Sequence, residues 1–70
     1  MNMEIAQMKQ KFLRLADVIA RTGFSRSRIY ALMDTKQFPQ SVKIGTRAIA
    51  WVEAEIDSWI QSRIDSRGAA

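Results

Sequence analysis

Ser25-Arg26-Ser27-Arg28 sets two hydroxyls and two guanidinium groups side by side, with Tyr30 two positions further on. Side chains of these types donate hydrogen bonds and carry fixed positive charge, which suits them to a polyanion. A guanidinium can grip a guanine edge or a phosphate with two parallel bonds, and a hydroxyl can donate to a phosphate oxygen. Lys36, Lys43, Thr46 and Arg47 extend the same chemistry along the chain. These nine residues are the candidate DNA contacts. The sequence leaves open whether Arg26 and Arg28 read guanine or hold phosphates. Tyr30 has three open roles: a hydroxyl donor to phosphate, a ring packed on a thymine methyl, or a half-buried packing residue against a neighbouring hairpin.

Catalytic chemistry has little to work with. The chain has seven carboxylates but no histidine and no cysteine. No Ser-His or Cys-His arrangement and no phosphate-binding loop occurs, so no enzymatic activity is expected. The same composition excludes a disulfide and a Cys or His zinc site, and no cofactor is expected.

Several elements must position those donors. Residues 1–11 are polar with scattered Met and Ile and read as a flexible N-terminal segment, frayed or loosely docked. Phe12 to Leu15 forms a short extended lead-in whose apolar residues can pair with a later hairpin. A helix follows over Ala16 to Arg21, with Leu15, Val18 and Ile19 on one face. Gly23 ends it as a left-handed C-cap, and Ser25 caps the next helix through its hydroxyl. That second helix spans Arg26 to Asp34. At 100° per residue, Ile29, Leu32 and Met33 face the core, Ser27, Tyr30, Ala31 and Asp34 face away, and Arg26 and Arg28 stand on the flanks. Two short helices joined by a glycine-containing turn carry the helix-turn-helix signature, in which the second helix meets the major groove.

Phe38-Pro39 interrupts the helical pattern, because proline lacks an amide hydrogen and holds the preceding residue extended. Ser41–Ile44 and Ala48–Trp51 are alternating runs around Gly45-Thr46-Arg47 and read as a hairpin. As a wing beside the second helix, its Lys43, Thr46 and Arg47 would touch phosphate or the adjacent minor groove, fixing register more than reading bases. The alternative is a solvated hairpin whose charges only block edge pairing. A closing helix is expected from about Glu53 to Ile64, with acids in its first turns and Val52, Ile56, Trp59, Ile60 and Ile64 covering the helix pair. Trp51 and Trp59 read as core anchors, and residues 65–70 as a flexible tail. The fold class is therefore mainly α with a small β-hairpin, a winged helix-turn-helix domain over 12–64.

Charge is unevenly placed. Lys9 to Arg47 holds nine cations against two acids, and Ala48 onward holds two cations against four acids. A basic half beside a mildly acidic helix fits one face turned toward nucleic acid. At 70 residues there is room for one modest core, worth only about 3–5 kcal/mol at this size. No apolar run approaches the roughly 20 residues of a membrane span, and the start lacks a signal-peptide core, so a cytoplasmic location is expected.

The motifs together resemble one family. Phe12-Leu13-Arg14-Leu15, Arg21 through Tyr30, Phe38-Pro39, Val42 through Trp51 and Glu55-Ile56-Asp57-Ser58-Trp59-Ile60 closely resemble the AlpA family of phage-associated regulators, across about fifty of the 70 residues. The resemblance implies a winged helix-turn-helix related to MerR-type domains and phage excisionases, with a recognition helix from Arg26 and a wing around Gly45. It also implies action on genes of integrated elements, commonly integrase and excision functions. Two positions depart from the pattern: Ala54 stands where a serine is common, and Ser41 where a second proline is common. The first touches a helix cap and the second the approach to the wing.

The expected role is a sequence-specific transcriptional regulator of a prophage or integrative element, with double-stranded DNA as partner and an integrase or RNA polymerase as candidate protein partners. Two rival roles remain: an excisionase-like factor that binds DNA architecturally, and a protein-interaction module that inhibits another regulator. One domain of this size buries only about 600–1,000 Å² on DNA, and the chain has no coiled-coil heptads, so a monomer that binds repeated half-sites cooperatively is expected.

Overall fold

The computed structural model describes residues 10–69. Residues 1–9 of the expected N-terminal segment, and Ala70, lie outside the described residues. The elements run β1 (Phe12–Leu13), α1 (Leu15–Thr22), α2 (Arg26–Asp34), β2 (Val42–Gly45), β3 (Ala48–Val52) and α3 (Glu53–Ala69). The strands form one antiparallel sheet in the order β1-β3-β2. Three helices beside a small sheet with a β2–β3 hairpin make a winged helix-turn-helix.

The lead-in does pair with the hairpin, with Phe12 opposite Val52 and Leu13 opposite Trp51. Only two of its residues are strand. Arg14 is already the N-cap of α1, and its amide donates to the Asp17 carboxylate at 3.1 Å. This satisfies a backbone group outside the helix and places a negative charge at its positive end. α1 therefore starts one residue before the expected Ala16 and ends one after Arg21. Gly23 closes it in the left-handed conformation expected, φ 77°, donating its amide to Ile19 O at 2.8 Å. Thr22 ties the turn together, its hydroxyl donating to Val18 O and accepting from the Phe24 amide.

The core gathers Leu13, Val18, Ile29, Phe38, Trp51 and Ile56, with Leu15, Ile19, Leu32, Met33, Trp59 and Ile60 packed against it. Ile29, Leu32 and Met33 thus mark the inner face of α2. Trp51 is fully buried in β3, and Trp59 is half-buried on α3. Both indole N–H groups donate to the segment between α2 and the wing, Trp51 Nε1 to Pro39 O at 3.1 Å and Trp59 Nε1 to Gln37 O at 3.0 Å. A buried indole needs such an acceptor, and here the acceptors hold the connection that sets the wing against α2.

Three expectations are corrected. α2 ends at Asp34 as expected, but the proline does not make the stop. Lys36 adopts φ 62° and donates to Met33 O, while Gln37 donates to Leu32 O at 2.8 Å. This Schellman closure satisfies the last carbonyls of α2 three residues before Pro39. The wing is also tighter than expected. Ser41 lies outside the strands, Gly45 is the last residue of β2, and Thr46-Arg47 alone make the turn. The register shifts between Lys43 and Gly45, so Ile44 is the extra residue of a β-bulge. Finally, α3 continues to Ala69 through the segment read as a tail. Nothing in Asp65-Ser66-Arg67 breaks a helix, and Gln61 Nε2 donates to Asp65 Oδ1 across one turn. In exchange Ile64, expected to cover the helix pair, is 43% exposed. Among the described residues, no helix is long and apolar enough to cross a membrane.

Candidate nucleic-acid interface

All nine candidate side chains are exposed: Ser25, Arg26, Ser27, Arg28, Tyr30, Lys36, Lys43, Thr46 and Arg47. Four of them sit in the first two turns of α2, and Ser25 stands just before it. Ser25 is the N-cap, extended at φ −78°, ψ 165°, and its Oγ accepts from the Arg28 amide at 3.1 Å. The hydroxyl proton stays free to donate outward. The Ser25 cap fixes where α2 begins, and this phases every side chain after it.

On that helix Arg26 and Arg28 stand about 200° apart, one on each flank of the outward face. Each is directed by an aromatic ring. The Arg26 guanidinium lies 5.7 Å from the Tyr30 ring centroid, and Arg28 lies 5.8 Å from that of Phe24. Phe24 is anchored in turn, edge-on to Phe38 and to Trp59 at 6.4 and 5.9 Å. Neither arginine forms an ion pair among the described residues.

Arg21 contrasts with both. Sequence reading counted it with the basic half. The structure commits its guanidinium to α3, with Nη2 on Glu53 and Nη1 on Asp57, each at 2.6 Å. The hydrogen bond with Glu53 raises its pKa above the ordinary arginine value, working against burial, which lowers it; the Asp57 charge adds to the rise. Two of its donor nitrogens are spent inside the protein, on exposed pairs that link α1 to the start of α3.

The remaining candidates fall into two places. Lys36 follows the far end of α2, whose last residue Asp34 is already roughly 12 Å along the axis from Arg26, too far to share a base contact. It sits at the negative end of the helix dipole, which favours a cation whatever else Lys36 does. Lys43 lies on β2 opposite Ile49, and Thr46 and Arg47 form the tip of the hairpin. The bulge at Ile44 twists this ribbon and re-aims the side chains around it.

The open grooves beside these surfaces offer different chemistry. One, about 380 Å³, is lined by Lys11, Phe12, Leu13, Asp17, Ala20 and Arg21. A second, about 510 Å³, lies among Pro39, Ala54, Glu55, Ser58 and Trp59. Each contains a single carboxylate and neither is lined by any of the nine candidate side chains, so the exposed donors of α2 and the wing remain the candidate site.

Sequence reading missed the two ring platforms and the capture of Arg21. One platform had a signal, since Arg26 and Tyr30 are four residues apart on α2, the spacing at which helical side chains meet; Phe24 precedes the Ser25 cap, so no helical spacing pointed to its contact with Arg28. The capture of Arg21 depended on where α3 crosses α1, which no local pattern encodes.

Residues 11–64 match the family model described as prophage CP4-57 regulatory protein (AlpA). The chain is 37% identical over 59 residues to the DNA-binding transcriptional activator AlpA of Escherichia coli strain K12, covering 76% of this chain and 84% of that protein. It is likewise 37% identical over 59 residues to the uncharacterized protein ORF88 of Enterobacteria phage P4, covering 84% of this chain and 67% of that one. No solved structure matches the chain at a significant level.

Proposed function

The chain belongs to the AlpA family, and from that premise we propose that it is a sequence-specific DNA-binding transcriptional regulator of a prophage or integrative element. The observation that carries this reading is the outward face of α2. It presents two arginines at its N-terminal shoulders, neither ion-paired among the described residues, with small Ser27 and Ala31 between them. A helix that is narrow at its centre and cationic at its edges fits a major groove about 12 Å wide. The transcriptional activator named for the Escherichia coli relative supports a regulatory role over a purely architectural one.

In this reading α2 enters the groove, Ser27 and Ala31 face its floor, and Arg26 and Arg28 reach base edges or the phosphates on either side. Lys43, Thr46 and Arg47 take phosphates at the wing, Ser25 donates to a phosphate near the helix start, and Lys36 takes one near its end. The regulated genes are those of integrase and excision functions. An integrase or RNA polymerase is the protein partner, and the working location is the cytoplasm.

Nuclease footprinting across the intergenic DNA beside the chain's own gene tests the proposal. A protected stretch, lost when Arg26 and Arg28 are both changed to alanine, is expected. Uniform protection of all DNA, or none at a concentration where the protein is folded, would overturn it.

A further inference from the structure

The guanidinium contacts on α2 point to a job for Tyr30 that differs from touching DNA. In a helix each side chain leans toward the N-terminus, so a residue covers the one four positions before it. Tyr30 therefore leans back over Arg26, and the guanidinium sits 5.7 Å from its ring centroid. A ring holds a guanidinium by its face. The N–H donors lie around the edge of the group, and a contact with the ring face takes none of them up, nor does any carboxylate among the described residues. Carboxylates do the reverse, as Glu53 and Asp57 do to Arg21, by occupying the donors themselves. The same device appears at Arg28, which lies over Phe24.

We propose that Tyr30 is a positioning residue for Arg26: its ring parks the guanidinium at one flank of α2 with its hydrogen-bonding edge open, so that less side-chain freedom is lost when Arg26 meets DNA. This rests on the DNA-binding reading above and deepens it. An unrestrained arginine has many rotamers to lose on binding, and a preformed arrangement cuts that cost. The ring performs this role, and the hydroxyl is dispensable. Tyr30 suits a test because it is exposed, at 36%, and contributes little to the core.

Equilibrium binding to the footprinted DNA is measured for wild type, Tyr30→Phe, Tyr30→Leu, Arg26→Ala and the Arg26→Ala/Tyr30→Leu double variant. Tyr30→Phe should bind as wild type. Tyr30→Leu should weaken binding about two- to fivefold, the range of an exposed cation–ring contact. In the Arg26→Ala background, Tyr30→Leu should add nothing. In the free protein, nuclear magnetic resonance should show ring-current shifts on the Arg26 side chain that persist in Tyr30→Phe and vanish in Tyr30→Leu. Equal losses for Tyr30→Phe and Tyr30→Leu would assign the effect to a direct hydroxyl contact and overturn the proposal. So would an unchanged Tyr30→Leu, a loss additive with Arg26→Ala, or absent ring-current shifts. Failure of wild type to bind any DNA would instead defeat the DNA-binding reading, and this inference with it.

Discussion

Arg21 and Arg28 are the same residue type seven positions apart, and their surroundings leave different parts of them available. Arg21 bridges two carboxylates of α3, while Arg28 lies over a ring and forms no ion pair among the described residues. Their alanine variants should therefore fail in different assays. Arg26→Ala and Arg28→Ala should keep the fold, read by circular dichroism, and weaken DNA binding. If either arginine reads guanine, about 1–3 kcal/mol of discrimination against the wrong base should go with it. Arg21→Ala should lower the melting temperature, more so at low salt where the ion pairs are least screened, and leave the salt slope of DNA binding unchanged. Loss of a full unit of that slope in Arg21→Ala would return Arg21 to the DNA face. The exposed donors were legible because exposure on a short amphipathic helix follows from the positions of its apolar residues. Which cations were already spent was not, because the answer lies in acids more than thirty residues away.

At the level of elements, three backbone positions differ in what they demand of their residue. Gly23 holds φ 77° with open space around it, so an added Cβ meets no neighbour and only the backbone conformation resists. Gly23→Ala should cost about 1–2 kcal/mol for that reason. Gly45 has no such conformation, and its Cβ would meet Ala48 Cβ at an ordinary 3.5 Å. Gly45→Ala should be neutral or stabilise slightly through the unfolded chain. Lys36 is the reverse case, a side chain where glycine is preferred. Lys36→Gly should raise stability by about 0.5 kcal/mol and weaken DNA binding if its ammonium holds a phosphate. Thermal unfolding checks all three, and a Gly23→Ala variant as stable as wild type would contradict the turn's assigned strain. Helices α1 and α2 were legible from apolar spacing, a capping serine and a terminal glycine. The closure at Lys36 was not, since lysine carries no turn signal and the left-handed bend comes from tertiary contacts around Gln37 and Phe38. The extension of α3 was equally hidden, because Asp65, Ser66 and Gly68 are poor helix formers and their local propensity argues for a loose segment.

Across the whole molecule, α2 and the wing are joined through two indoles and one short connection, so they should act as one rigid surface. Changing Lys43 and Arg47 together to alanine should weaken binding equally on operator and random DNA, and reduce the salt slope by roughly one unit per lost phosphate contact. A constant slope would identify a solvated hairpin. So small a domain should be monomeric when free and gain affinity from repeated half-sites. Sedimentation and gel shifts on one against two half-sites check this, and a stable free dimer at micromolar concentration would contradict it. The central claim, that the exposed face of α2 reads DNA sequence, is tested most directly by fluorescence anisotropy at about 0.15 M salt. Wild type and the Arg26→Ala/Arg28→Ala variant are compared on the footprinted duplex and on a scrambled duplex of equal length. Wild type should prefer the footprinted duplex by at least about 1,000-fold, the lower end for specific binders, with most of that preference gone in the variant. Equal affinity of wild type for both duplexes, or a preference untouched in the variant, would contradict the account.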